Sequence, residues 1–158
     1  MSREFKAKIL VVLQFGLLFA LVIVAQLSSN TSYLPATTAL MLFGLMTLGF
    51  AYLALRPSLR ISPIPKNGAE FISVGIYRFV RHPMYLGLLL IGFSLAVNAD
   101  NSMGWIIYLI LLVVLNIKAS FEDFLLRELH PKSVHYQLHT SRILPCLGGS
   151  CRDNCEIR

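Results

Sequence analysis

An all-α integral membrane fold with four transmembrane helices, the last two forming a short hairpin, follows from three observations. The chain is 56% hydrophobic and 14% charged, against about 25% charged in soluble domains, and its mean hydropathy is +0.67. It holds four long apolar stretches. All 14 Lys and Arg residues are confined to three segments outside those stretches. This balance excludes a soluble Rossmann or barrel enzyme, a disordered regulator and a nucleic-acid binder, in spite of a net charge of +6. The 158 residues read as a single membrane domain, residues 1–158.

The first apolar stretch, Ile9 to Leu27, has 19 residues, and the second, Leu34 to Leu55, has 22. At about 1.5 Å per residue, each can cross a hydrocarbon core of roughly 30 Å. The first is longer than the h-region of a signal peptide, roughly 7 to 15 residues, so it reads as a retained span. Pro83 to Val97 and Gly104 to Ile117 have 15 and 14 residues. Both are short for a span, and the polar turn from Asn98 to Ser102 leaves room only for an antiparallel pair. The expected organisation is therefore residues 1–55 for the first two spans, 56–82 for a connecting loop, 83–117 for the hairpin and 118–158 for a C-terminal segment with some helix.

Charge sets the expected orientation. Arg3, Lys6 and Lys8 precede the first span; Arg56, Arg60, Lys66, Arg78 and Arg81 fall between the second and third; the rest follow from Lys118 to Arg158. The other two loops carry none, so the positive-inside bias puts both termini and the middle loop in the cytosol. Cys146, Cys151 and Cys155 then lie on the reducing side, at spacings without the paired C-x-x-C of a zinc site, and neither disulfide nor metal is expected. Gln14, Gln26 and Asn116 read as interhelical hydrogen-bond partners, and Gly44, Gly49, Gly87 and Gly92 as points of close helix packing. Tyr33, Trp105 and Tyr108 read as interfacial anchors.

Two polar clusters carry chemistry. Around the start of the third span, Pro83 suits the first turn of a helix and makes His82 its expected N-cap. A helix N-terminus with Arg81 and His82 beside it favours a carboxylate or phosphate at the cytosolic surface. Where the fourth span ends, Lys118 and Glu122 share one helical face, while Asn116, Ser120 and Asp123 share another. A tight hairpin brings Glu122 near His82 and Tyr85. An anion-binding helix start facing an acidic helix end can hold the carboxylate and the ammonium of an amino-acid moiety together.

The run GIYRFVRHPMYLG from Gly75 to Gly87, followed about 35 residues later by FEDFLL, resembles the isoprenylcysteine carboxyl methyltransferase family and the related membrane phospholipid methyltransferases. The resemblance extends from Ala69 to Pro145. It implies a small helical membrane enzyme that binds S-adenosyl-L-methionine at the cytosolic ends of its last two spans. The acceptor it implies is lipid-like or a small hydrophobic molecule admitted from the bilayer, with O-methylation of a carboxylate as the expected reaction. By the same resemblance the cofactor-binding residues are Phe71, Ile72, Tyr77, Arg81, His82, Pro83, Met84, Tyr85 and Glu122, and Lys118 meets the acceptor. Asp123 and Lys118 stand where the family has a second Glu and an Arg. Downstream, Leu129-His130-Pro131, Tyr136 and His139 replace the usual Phe-Gly and paired tyrosines. No catalytic residue is assigned, because an ionised carboxylate needs no base; an amine or thiol acceptor would turn to His82 or Tyr85. Two alternatives remain open at this point. One is an NADPH-dependent sterol or enone reductase, whose family shares a similar turn, and the other is a membrane scaffold whose Arg81 and His82 bind lipid headgroups.

Overall fold

The computed structural model describes residues 3–28, 35–55, 75–129, 137 and 140–143. Four helices account for most of them: α1 (Arg3–Leu27), α2 (Pro35–Leu55), α3 (Pro83–Ala99) and α4 (Ser102–Leu129). A single 3-10 turn, Gly75–Arg78, precedes α3. No strand forms among the described residues; Val80 and Ser141 make one isolated parallel bridge. α1, α2 and α4 are long and apolar enough to cross a membrane, whereas α3, with 17 residues, is shorter.

The expectation of two short helices in the hairpin is corrected for α4, which has 28 residues. Hydropathy stops at Ile117, but the helix does not. Residues from Lys118 to Leu129 favour helix and turn their polar side chains onto partners, so the backbone continues beyond the apolar stretch. The shortness of α3 has a different explanation. It packs against α2 on one side and against α1 and α4 on the other. Pro83, Tyr85, Gly87, Leu89, Gly92, Ser94, Ala96 and Ala99 are all buried along its length. Enclosed by protein, it depends less on matching the hydrocarbon thickness.

The hairpin turn is built from two polar residues. Asp100 adopts a left-handed conformation (φ 47°) that caps α3, its N–H donating to Val97 O at 3.2 Å. This is a conformation that Asp tolerates better than most residues. The Asn101 side chain then accepts the Gly104 N–H at 2.8 Å, satisfying one of the donors exposed at the start of α4. Nearby, Phe93, Trp105 and Tyr108 form a trio of edge-on rings 5.6 to 6.2 Å apart.

α1 and α4 run antiparallel in a register defined at two levels. Arg3 donates to Glu128 at 2.6 Å at one end, and Lys118 donates to Gln14 at 2.7 Å farther in. Gln14 is thus an interhelical partner. Asn116 is not: its amide donates to Leu112 O within α4 at 3.1 Å, where an intrahelical carbonyl is the nearer acceptor. A buried Ser94 on α3 ties to α2 through Thr37 O at 2.8 Å. The core cluster gathers Leu21, Tyr85, Leu89, Ala96, Leu111, Leu115, Ala119 and Ile143.

Gly44 and Gly87 set the close approach of α2 to α3. A methyl group on Gly87 would stand 2.9 Å from Gly44 O and 3.2 Å from Leu48 N, backbone atoms that cannot rotate away. Gly49, by contrast, has open space around it and is not a packing point. Gly87→Ala is therefore expected to part the two helices and cost about 1–3 kcal/mol, the scale of overpacking. Denaturation in detergent measures this, and an unchanged midpoint would mean that the α2–α3 contact gives way freely.

Candidate functional site

The site lies where the start of α3 meets the polar end of α4. Local sequence sets the first part. Phe79 and Val80 N–H groups bond to Ile76 O, closing the turn that contains the buried Tyr77. Pro83 then opens α3 with its side chain fully buried, and Met84 packs against the core. His82 stands at the N-cap position, but its side chain makes no cap bond. Its backbone N–H donates to Arg142 O at 3.0 Å, and the neighbouring Arg81 N–H donates to Ser141 O at 2.9 Å.

These bonds correct the expectation of an open anion-binding helix start. Of the four donors that a helix N-terminus leaves without an intrahelical partner, Pro83 has none to offer. The His82 N–H is taken by Arg142 O, and that of Tyr85 bonds back to His82 O at 3.0 Å. Met84 keeps the remaining one. The side chains that flank the helix start are directed elsewhere too. Arg81 Nη1 donates to Asp123 Oδ2 at 2.9 Å, and His82 Nε2 lies 3.0 Å from Asp123 Oδ1.

Asp123 is the hub of the cluster. It is 3% exposed and also accepts from Arg142 Nε at 3.2 Å, while Arg142 Nη1 reaches Ser120 at 2.9 Å. Gln137 donates to Asp123 O at 3.1 Å and accepts from Arg127. Ser120 and Asp123 thus use their common helical face to dock residues from the C-terminal segment. One buried carboxylate shared by two guanidinium groups and the His82 ring holds α3, α4 and that segment together.

Glu122, one residue earlier, faces a different environment. Its Oε2 accepts the Tyr85 hydroxyl at 2.7 Å and lies 3.5 Å from His82 Nδ1. The side chain is 35% exposed, and Oε1 receives no bond among the described residues. His82 and Tyr85 stack face to face, 5.1 Å between centroids and 4° between planes. Clamped by the stack and by Glu122, the Tyr85 ring forms a rigid wall. Lys118, 3% exposed, completes the site with its ammonium 5.0 Å from the Tyr85 centroid. It is not paired with Glu122 in spite of their i, i+4 spacing, because its ammonium turns across to Gln14 on α1.

The structure therefore brings together Arg81, His82, Tyr85, Lys118 and Glu122, with the buried Tyr77 and Pro83 and the partly buried Met84 beside them. Phe71 and Ile72 lie outside the described residues, as do the three cysteines and Tyr33. Sequence reasoning placed Asp123 beside Glu122 in the polar cluster but not at its hub, and passed over Gln137 and Arg142. Nothing local marks the last two, whose partners are 10 to 22 residues away or on another helix. Gln14 did carry a signal, as the one strongly polar side chain in the interior of a long apolar run.

Residues 36–133 match the phospholipid methyltransferase family model. The match takes in α2, α3 and all of α4, and with them the stacked His82 and Tyr85, Lys118, Glu122 and Asp123; it leaves out α1. No curated protein and no solved structure matches the chain. With more than half of its residues matched, and the site inside them, the chain belongs to the phospholipid methyltransferase family, which is related to the isoprenylcysteine carboxyl methyltransferases.

Proposed function

We propose that the protein is an S-adenosyl-L-methionine-dependent methyltransferase that works at the cytosolic face of the membrane on a lipid-like acceptor, by O-methylation of a carboxylate. One observation carries this reading. A half-open carboxylate, Glu122, and a buried ammonium, Lys118, sit one turn apart on α4 beside the same aromatic wall. One pole suits the ammonium of an amino-acid cofactor, and the other suits an anionic acceptor.

The cofactor's ammonium end fits the residues present. Glu122 has an oxygen unengaged among the described residues and enough exposure to receive a cation, while Tyr85 and His82 keep its other oxygen in place. At the carboxylate end, Arg81 and His82 are committed to Asp123, which leaves the Met84 amide as the donor of the helix start. Tyr77, Pro83 and Met84 adjoin the stacked pair in sequence, and with Phe71 and Ile72 they complete the assignment. When bound, the sulfonium supplies a methyl group already activated for transfer. The work left to the chain is alignment and exclusion of water, worth up to roughly 7–11 kcal/mol in ideal cases. Lys118 orients the acceptor head, and no side chain has to remove a proton from an acceptor that is ionised at pH 7.

The decisive test is incubation of the purified protein with methyl-labelled S-adenosylmethionine and membrane extract, followed by mass spectrometry of the methylated product. A labelled lipid ester supports the reading. Tight NADPH binding with no adenosylmethionine binding would replace it with a reductase. The cytosolic placement has its own test. Reporter fusions after Arg60 and after Arg158 should both read cytosolic, and one within Asn98 to Ser102 should not. An external signal from either of the first two would overturn the orientation.

A further inference from the structure

Gln14 and Lys118 meet in the seam between α1 and α4, and the helix register gives their depth. Because Arg3 pairs with Glu128 and Gln14 with Lys118, the start of the apolar run on α1, Ile9, is level with Glu122 and Asp123. Lys118 therefore lies about 6 Å, roughly one helical turn, on the apolar side of the acidic residues. Both members of the pair are buried, Gln14 at 4% and Lys118 at 3% exposure. The adjacent Leu13 and Ile117 are exposed, so the pair is one residue from the lipid-facing surface of each helix.

A buried ammonium at this depth ordinarily needs a counter-charge. Among the described residues no carboxylate comes within 4.0 Å of it. Its contacts are the Gln14 amide oxygen and the face of the Tyr85 ring, which solvate a cation without cancelling its charge. A carboxylate in place of the Gln14 amide would make the same hydrogen bond and neutralise the site. Gln14 also lies outside the segment matched by the family model.

We propose that Gln14 is a specificity-determining residue: it holds the Lys118 ammonium in the α1–α4 seam without neutralising it, so that the site selects bilayer-soluble molecules with an anionic head. The bound molecule's anionic head supplies the direct ion pair that Lys118 lacks among the described residues, where Glu122 acts on it only from beyond 4.0 Å. The flexible four-carbon stem of Lys118 lets the ammonium turn toward such a head while the stem stays in apolar surroundings. Calling that molecule the methyl acceptor rests on the reading above; the selection of an anion does not.

The test uses the full chain in detergent micelles and three probes with one tail and different heads: oleate, oleyl alcohol and oleylamine. Equilibrium dialysis should show oleate bound more tightly than either of the others by about tenfold or more, the scale of a hydrogen bond to a charged group. Gln14→Glu should abolish that preference while keeping the thermal midpoint, because the α1–α4 tie survives as an ion pair. A purely structural Gln14 would give the opposite result, with both tie and preference intact. Lys118→Met, which removes the charge with little change in volume, should also abolish the preference and covers the case in which Gln14→Glu folds poorly. Equal binding of the three probes, or an oleate preference that survives Lys118→Met, would overturn the proposal. S-adenosylhomocysteine binding is measured in parallel: its absence from the unaltered protein would count against the methyltransferase reading alone.

Discussion

Asp123→Ala is expected to be the most damaging single change in the described structure, with a loss of about 3–5 kcal/mol. The side chain holds Arg81, His82 and Arg142 at 2.9, 3.0 and 3.2 Å and is itself buried. Removing it leaves the Arg81 and Arg142 guanidinium groups and the His82 ring facing one another with no carboxylate between them. Arg81 and His82 side chains are 12% and 9% exposed, so water replaces the lost partner poorly there; Arg142, at 40%, contributes less. Asp123→Asn keeps one acceptor oxygen and should lose a smaller share. Two measurements check this. Unfolding in detergent should move to lower temperature, and proteolysis should cut near Arg142 faster, since the Arg142 side chain docks on the Asp123 carboxylate, whereas Gln137 bonds to the backbone carbonyl that the variant keeps. A loss below about 1 kcal/mol would mean that the cluster is solvated and behaves as surface pairs do.

Glu122→Gln should separate binding from stability. The amide keeps the shape and can still accept the Tyr85 hydroxyl, but it cannot balance an ammonium. Binding of S-adenosylmethionine or its demethylated product is expected to weaken by about 1.5–3 kcal/mol, or roughly 10- to 150-fold. Because Glu122 is partly exposed and has two partners instead of three among the described residues, the variant's unfolding midpoint should stay close to that of the unaltered protein. The pair of variants thus makes opposite predictions for adjacent residues. Isothermal titration of the two purified proteins, set beside their melting curves, decides between them. Equal binding losses for Glu122→Gln and Asp123→Asn, with equal destabilisation, would assign both acids to scaffolding and remove the cofactor's ammonium contact.

What the sequence determined by itself were properties that depend on short stretches of chain. Apolar runs specified α2 and the C-terminal end of α1, because burial of backbone hydrogen bonds in lipid admits only helix there; α1 itself begins at Arg3, ahead of the run that starts at Ile9. The Pro83 start of α3 and the turn at Asp100 and Asn101 were legible for the same reason, each being decided by the conformational preferences of one or two residues. The pairing of the α3 start with the acids of α4 followed from the shortness of the turn between them.

Tertiary structure decided which neighbour on a helix does what. Glu122 and Asp123 differ by about 100° around α4, and only the packing of α4 against α1 and α3 determines which faces the buried cations and which faces outward. Helical spacing paired Lys118 with Glu122, yet the ammonium crosses to Gln14, 104 residues away, because the α1–α4 seam puts that amide oxygen at 2.7 Å. The length of α4 was hidden as well, since its last turns are stabilised by docking of Arg142 and Gln137, not by hydropathy. Local energies of a few tenths of a kcal/mol, such as an i, i+4 pair, give way where a long-range contact satisfies a buried charge at a cost several times larger if left unmet.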